Sequence, residues 1–311
     1  MNIQQLEYII AVNDCRHFVK AAEKCYVTQA TLSMMIKKLE EELQVKIFDR
    51  SRQPVVPTEI GDKIIAQAKI IVQESYRLKE IVQGEQAALS GELKLGIIPT
   101  LAPYLLPLFI NTFLKKYPRV TVKVSEMTTE TIIEKLQKHD LDAGILSTPL
   151  HIPSLKEKTL FYEEFVVYAS SKEKILKKKY VLADDIDINR LCLLEEGHCL
   201  RSQVLNLCEL RDKEKELHQL DFVTGSIETL RKIVDANQGI TILPMLALND
   251  LNSKQRNNVR YFKKPVPVRE IGLVTYRHFV KEKLIESVIN EILSAVPVQM
   301  KSTSKKEIVN I

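Results

Sequence analysis

Apolar positions recur three and four residues apart through the first part of the chain. Ile3, Leu6, Ile9 and Ile10 mark a helix over residues 2–12, and 18–25 reads as a second, shorter one. Leu32, Ile36, Leu39 and Leu43 step by four, three and four, which predicts a third helix from residue 29 to about 43 with Thr28 as its N-cap. Residues 45–50 then lead through Arg52 to the proline-bracketed 54–57 as a hairpin-like piece. Thr58 opens a long helix to about residue 88, along which Ile60, Ile64, Ala68, Ile71, Ser75, Leu78 and Val82 make a narrow apolar seam. A seam that thin encloses little core and suits packing against a second copy of the chain; a helix laid on its own domain is the alternative.

From Gly91 onward the texture changes to alternating strands and helices. Strands are predicted at 93–98, 120–125, 141–147, 161–169, 192–194 and 271–276, with further ones near Phe222 and at 240–243. Helices fall at 102–116, which carries Pro103 in its first turn, and at 129–138, about 200–210, 226–236 and 281–295. This order describes an open α/β architecture, in which ligands bind at the carboxyl ends of strands. Residues 297–311 are polar and are expected to form a flexible tail.

A chain of 311 residues is long enough for two or three domains, and 45% hydrophobic content supports real cores. A net charge of +5 permits a polyanionic partner without demanding one. Five cysteines without regular spacing do not describe a secreted disulfide framework. No His/Cys cluster has zinc spacing, so neither a metal nor a cofactor is expected. The first residues lack the basic and apolar segments of a signal peptide. The uncharged stretch 95–114 is interrupted by Pro99, Pro103 and Pro107, so it reads as strand, turn and helix rather than a membrane span. The protein is expected in the cytoplasm, where a disulfide is more often a transient signal than a staple.

Helix, turn, helix and hairpin together follow the winged helix-turn-helix plan. With Leu32, Ile36 and Leu39 turned inward, Gln29, Ala30, Ser33, Met34 and Lys37 are left at the start or on the outer side of the third helix. That is where a recognition helix offers contacts to bases, and Thr28 and Thr31 complete the expected set. Arg50 and Arg52 in the wing suit phosphate or the minor groove. Over residues 1–60, however, Arg16, Lys20, Lys24, Lys37, Lys38, Lys46, Arg50 and Arg52 are cancelled by Glu7, Asp14, Glu23, Glu40, Glu41, Glu42, Asp49 and Glu59. Affinity for DNA must therefore come from the placement of charges and from multiple copies, not from a basic domain.

The chemistry concentrates at Cys199 and Cys208, in the segment Gly197-His198-Cys199-Leu200-Arg201-Ser202-Gln203-Val204-Leu205-Asn206-Leu207-Cys208. A glycine and a histidine precede Cys199 and an arginine stands two residues after it, neighbours that favour a nucleophilic thiolate. Leu200, Val204, Leu207 and Cys208 share one stripe, so Cys208 is expected to face inward on an amphipathic helix. The asymmetry suggests a peroxide-reactive thiol and a resolving thiol. Nine residues of helix span roughly 13 Å, whereas bridged Cα atoms lie within about 7 Å. A disulfide between the two therefore requires the helix to unwind. Two inert core cysteines are the plain alternative; Cys15, Cys25 and Cys192, which lack such surroundings, read as packing residues.

Ala21-Ala22, Tyr26-Val27-Thr28-Gln29-Ala30-Thr31-Leu32-Ser33, Ile36-Lys37-Lys38-Leu39-Glu40 and Phe48-Asp49-Arg50 follow one another in an order that resembles the LysR-type transcriptional regulators. The resemblance implies an all-α winged helix-turn-helix DNA-binding domain at 1–57 and a dimerising linker helix at 58–88. It implies a two-lobed α/β effector domain at 91–296, similar to periplasmic binding proteins, with lobe I at about 91–162 and 268–296 and lobe II at about 163–267. It also implies dimers of dimers on promoter DNA, in contact with RNA polymerase.

Further along, Gly96-Ile97-Ile98-Pro99-Thr100, Pro103-Tyr104-Leu105-Leu106-Pro107, Gly197-His198-Cys199-Leu200-Arg201 with Cys208, Gly239-Ile240-Thr241-Ile242-Leu243-Pro244 and Ile271-Gly272-Leu273-Val274 are similar to the peroxide-sensing subgroup of that family. In that subgroup the cysteine matching Cys199 is oxidised by hydrogen peroxide and the one matching Cys208 closes the disulfide. The resemblance implies that Thr100 helps hold the peroxide, that Thr129, His198 and Arg269 line the same pocket, and that a cytosolic thiol reductant resets the switch. Ser202 stands where the subgroup commonly has an acidic residue, and Met34 where smaller or polar residues are common. The expected function is a peroxide-activated regulator of oxidative-stress defence genes, not an enzyme. Two rivals remain: a LysR-type regulator for an organic effector bound between the lobes, and a thiol peroxidase, for which a helix-turn-helix is poor baggage.

Overall fold

The computed structural model of the chain describes residues 1–83, 89–208, 224–237, 239–277, 281–304 and 306–310. It divides into two units, residues 1–87 and 88–311. The first holds helices α1 (Ile3–Cys15), α2 (Phe18–Lys24) and α3 (Gln29–Leu43), a short antiparallel wing of β1 (Phe48–Asp49) and β2 (Val56–Pro57), and the long α4 (Glu59–Gln83). Asn2 starts α1 through a capping box with Gln5, and Arg16 ends it in the left-handed region at φ 50°. Thr28 caps α3, its hydroxyl accepting from the Thr31 N–H at 3.2 Å. Leu32, Ile36 and Leu39 are fully buried beside Ile9, Val12 and Ala21, whereas Leu43, the last of the predicted stripe, reaches solvent.

Thr58 starts α4 by accepting from the Gly61 N–H at 3.0 Å while donating to Lys46 O at 2.6 Å. Gly61 must lack a side chain, because a Cβ there would lie 2.0 Å from Ile47 O. One face of α4, Ile65, Ala68 and Val72, is buried against α1. Ile60 and Leu78 of the predicted seam stay exposed. The seam read from the sequence is thus rotated from the face the unit covers. The expected last turn at 84–88 lies outside the described residues.

Glu40 ties the wing to α3. Its buried carboxylate accepts from the N–H groups of Ile47 at 2.8 Å and Phe48 at 3.3 Å, and pairs with Arg50 at 2.9 Å. A buried acceptor serving three donors is costly to delete, since each donor is left short of a partner.

The second unit is built on a mixed sheet. β3 (Gly91–Ile97) lies between parallel β4 (Val120–Glu126) and β5 (Ala143–Thr148), and β5 pairs antiparallel with β9 (Val266–Tyr276). β6 (Leu155–Ala169) runs antiparallel to β9 as far as Glu164 and then passes between β7 (Ile240–Pro244) and β8 (Val259–Tyr261). One strand thereby serves both lobes. Among the helices, α5 (Ala102–Lys116) and α10 (Glu282–Ala295) pack together, α6 (Thr129–Gln137) packs on β5, and α8 (Ile227–Asn237) packs on β7. The segment that begins at Cys199 forms α7 (Cys199–Leu207), and α9 (Ser253–Arg256) is a single turn.

Several expectations are corrected. Residues 297–311 are not a loose tail: Val298–Lys301 make a 3-10 turn, and β10 (Lys306–Ile308) adds in parallel to β9 at Val266, Pro267 and Val268. Val309 follows it into the core. Few apolar residues signal this strand, because main-chain pairing with β9 holds it. The strand expected at 192–194 reduces to a bridge between Leu191 and Ile240, and β8 was not foreseen. The strand expected near Phe222 lies outside the described residues.

Replacing Glu40 by Ala is expected to weaken the first unit by about 2 kcal/mol. The check is amide exchange at Ile47 and Phe48, which should accelerate while β5 of the other unit is unaffected; unchanged exchange at those two amides would remove Glu40 from this account.

Candidate functional site

On the outer face of α3, Gln29, Ala30, Thr31, Met34 and Lys37 are exposed, as the sequence predicts. Of these, Thr31 shares a hydroxyl hydrogen bond with Thr28 at 2.9 Å and Lys37 pairs with Glu41 at 3.7 Å, and other members of the expected DNA-binding set are engaged more firmly. Thr28 is spent as the cap, and Ser33 is half-buried and accepts from Arg50 at 3.3 Å. Arg50 is held by Glu40 and lies 5.1 Å above the Phe18 ring, so its guanidinium braces the wing rather than standing free. Arg52 remains 72% exposed, loosely paired with Asp49 at 3.2 Å. Tyr26, singled out only as part of the family pattern, is 96% exposed with φ 55° at the turn before α3. Glu40 was lost among the acidic residues of the sequence, which carry no mark of burial.

The candidate site around Cys199 assembles at the carboxyl ends of three neighbouring parallel strands. Ile97 of β3 is level with Glu126 of β4 and Ile145 of β5; Thr100 and Thr129 follow the ends of β3 and β4 by three residues each, and Ser147 lies in β5 two residues past that level. Ligands gather at such edges because chain reversals place polar groups there. α7 brings Cys199 to this edge: its Sγ lies 3.5 Å from Ser147 Oγ, and both residues are buried. Cys199 is the first residue of α7, the turn whose backbone N–H groups have no partner within the helix. Ser147 was missed; its only sequence signal is its place at the end of a predicted strand.

Arg269 and Thr100 are brought together. Arg269 Nη1 donates to Thr100 Oγ1 at 2.9 Å and Nη2 to Thr100 O at 3.2 Å, while Nε and Nη2 donate to Glu163 at 2.9 and 2.8 Å. The Arg269 and Glu163 side chains are completely buried, and the other Glu163 oxygen accepts from the Leu246 N–H at 2.8 Å. Arg269 is thus a clamp joining β9, β6 and the turn after β3, with Glu163 as its unforeseen partner. Thr129 sits in the first turn of α6, which Thr128 caps, and its own hydroxyl is buried with no partner among the described residues. A buried hydroxyl of that kind is a ready contact for a small polar ligand.

His198 is buried with Nε2 3.4 Å from Glu195 Oε1, and the backbone of Gly225 closes over the pair. A Cβ at Gly225 would stand 2.6 Å from that carboxylate and 2.9 Å from the imidazole. Arg201 donates to Leu194 O at 2.6 Å. His198 and Arg201, the thiol's neighbours in sequence, thus bond to Glu195 and Leu194, and Ser147 contacts the thiol from β5.

Cys208 caps the far end of α7, its N–H donating to Val204 O. Cys199 is buried, because the N-terminal turn is the end inserted against Ser147, and Cys208 is half-buried, packed against the core as its place on the apolar stripe predicts. Although part of Cys208 reaches solvent, its thiol is desolvated against the core and faces Asp184, which pushes its pKa up to about 12. All five cysteines are free thiols. Among the described residues no group of His, Cys, Asp and Glu is placed to hold a metal, and no helix is long and apolar enough to cross a membrane.

Comparison with known proteins gives this architecture a family. A model of the LysR substrate binding domain matches residues 86–297, and one of the bacterial regulatory helix-turn-helix proteins of the lysR family matches residues 3–62. The chain belongs to the LysR family of bacterial regulators. Within it, the chain is 36% identical over 276 residues to a hydrogen peroxide-inducible genes activator of Dickeya chrysanthemi, covering 88% of this chain and 89% of that one. It is equally similar, 36% over 276 residues with the same coverage, to the DNA-binding transcriptional dual regulator OxyR of Escherichia coli K12. A full-length OxyR variant from Pseudomonas aeruginosa has the same fold, with a TM-score of 0.82 and 32% identity over 95% of this chain and 99% of that one.

The raised Cys208 pKa fixes a pH dependence. The folded thiol holds its proton above the ordinary value of 9.0, so the folded state binds more protons between that value and about 12 and loses stability as pH rises through this window. Alkylation of Cys208 in the native protein should still be climbing tenfold per pH unit at pH 10, and in urea should level off near pH 9. A native profile that levels off near pH 9 would contradict the desolvated setting.

Proposed function

We propose that the chain is a DNA-binding transcription regulator activated by hydrogen peroxide through a reversible Cys199–Cys208 disulfide. The observation that carries this reading is the pairing of a buried Cys199 against Ser147 with a second thiol at the opposite end of the same nine-residue helix. Similarity to hydrogen peroxide-inducible genes activators supports it.

In the first step the Cys199 thiolate attacks one peroxide oxygen. An S–O bond forms, the O–O bond breaks, and the departing hydroxide is protonated to water. Ser147 donates to the thiolate, and Thr100, Thr129 and His198 orient the oxidant. Arg269 keeps Thr100 in place with its hydroxyl proton available, since the hydroxyl oxygen already accepts from the guanidinium. In the second step the Cys208 thiolate attacks the sulfenic sulfur, closing the S–S bond and releasing a second hydroxide, which also becomes water. The two sulfurs lose two electrons in all and the peroxide gains them. A cytosolic dithiol resets the switch by thiol–disulfide exchange, returning two electrons to Cys199 and Cys208 and becoming a disulfide itself.

The closing step needs α7 to unwind. Its ends are roughly 13 Å apart by helical rise, against about 7 Å for a bridged pair. Unwinding also returns Cys208 to water, where its pKa falls toward the ordinary value and thiolate becomes accessible. The refolded lobe then changes how copies of the chain pack, and DNA is the readout. Gln29, Ala30, Thr31, Met34, Lys37 and Arg52 offer the DNA contacts; exposed Ile60 and Leu78 on α4 suit a second copy, within a dimer of dimers that meets RNA polymerase. One turnover per reduction suits a cytoplasmic switch for oxidative-stress genes, not an enzyme.

The test is a brief peroxide pulse, with the Cys199–Cys208 peptide analysed by mass spectrometry and promoter footprints taken from the same samples. Cys199→Ser should abolish both changes, Cys208→Ser should stop at sulfenic acid, and Ser147→Ala should slow sulfenic acid formation roughly tenfold, about the worth of one hydrogen bond to a charged group. A peroxide-dependent footprint in Cys199→Ser would overturn the mechanism. Tight binding of a metabolite to a cysteine-free variant would favour the organic-effector reading instead.

A further inference from the structure

The segment after the 3-10 turn at Val298–Lys301 touches both the sheet and the redox helix. On one side β10 pairs with Val266, Pro267 and Val268 of β9, and the Val309 N–H donates to Val268 O at 2.8 Å. Lys306 Nζ adds an ion pair to Glu164 of β6 at 3.6 Å. On the other side α7 donates into the same segment twice. Gln203 Nε2 reaches Val309 O at 3.2 Å, and Asn206 Nδ2 reaches Asn310 O at 3.0 Å. Gln203 is completely buried and sits in the middle of α7, four residues after Cys199.

These contacts have a geometric consequence. Gln203 and Asn206 lie three apart on α7 and meet adjacent carbonyls only while the helix is intact, because three residues share one face of a helix but not of an extended chain. Any refolding that brings Cys199 to Cys208 passes through the residues between them, Gln203 and Asn206 included. We propose that residues 306–310 are a latch: they hold α7 helical in the reduced protein and are released when the disulfide closes. This rests on the disulfide reading above for its trigger, but the holding role is a property of the reduced fold alone. Release would free the edge of β9 directly before Arg269, so the latch couples the redox helix to the strand that carries the clamp.

The experiment is amide hydrogen exchange on the full chain and on three variants. In the reduced state, deletion of residues 304–311, or Val309→Pro, which removes the N–H given to Val268, should speed exchange over 200–207 roughly tenfold and leave α5 unchanged. Asn206→Ala, which removes one contact, should act in the same direction by a smaller factor; it settles the matter should the larger changes disturb α5 as well. Unchanged protection of α7 in these variants overturns the latch. In the oxidised arm the disulfide is counted by mass spectrometry in the same samples. Chains that carry it should lose protection at 306–309, and retained protection there also overturns the latch. If no chain acquires the disulfide under peroxide, it is the switch reading that fails, while the reduced comparison still decides the latch.

Discussion

A helix cannot bring its two ends together, and the regulatory unit is arranged around that fact. α7 keeps Cys199 and Cys208 at opposite ends, with a rise of roughly 1.5 Å for every residue between them. The same helix sets two different surroundings for two chemically identical groups. Cys199 is pressed against Ser147 at the strand ends, while Cys208 sits at the far cap, desolvated and beside Asp184. As long as α7 persists the second thiol is neither near the first nor ionised. One conformational event removes both obstacles, so chemistry and refolding are obliged to occur together.

Against this movable element stands a fixed one. Arg269, Glu163 and Thr100 form a fully enclosed network linking β9, β6 and the turn after β3. A buried ion pair contributes little net stability compared with apolar packing, but removing one partner strands the other charge and is costly. The network therefore pins Thr100 at the sheet edge that α7 meets. A rigid platform with a local element of lower stability is what a switch requires, since an evenly stable fold would either resist the disulfide or unfold as a whole.

Much of this was legible in the chain, and the omissions have physical causes. Period and caps located α3 and α5 to the residue, because Thr28, Leu32, Ile36 and Leu39 in one case and Pro103 with its apolar neighbours in the other are local signals. β10 was read as a tail because its stability comes from main-chain pairing to β9, which leaves no mark on side-chain pattern. The face that α4 buries in its own unit, Ile65, Ala68 and Val72, was not foreseen, since Ile60 and Ile65 both satisfy helical spacing and only the tertiary fold decides which of them this unit covers. The family pattern supplied Thr100 and Arg269 separately; that they bond, and that Glu163 holds them, is a long-range relation the sequence does not state. Likewise His198 and Arg201, adjacent to Cys199 in sequence, are turned to Glu195 and Leu194 by the helix start, leaving Ser147 from another strand to meet the thiol.

The most direct test of the helical constraint is the rate of disulfide closure as peroxide is raised, with sulfenic acid and disulfide followed separately in rapid-quench samples. Sulfenic acid should form in proportion to peroxide, whereas closure should reach a plateau set by the unwinding of α7, and low urea should raise that plateau because unwinding exposes Leu200, Val204 and Leu205. A disulfide that appears together with sulfenic acid, at a rate proportional to peroxide throughout and indifferent to urea, would contradict the claim that the helix must open first.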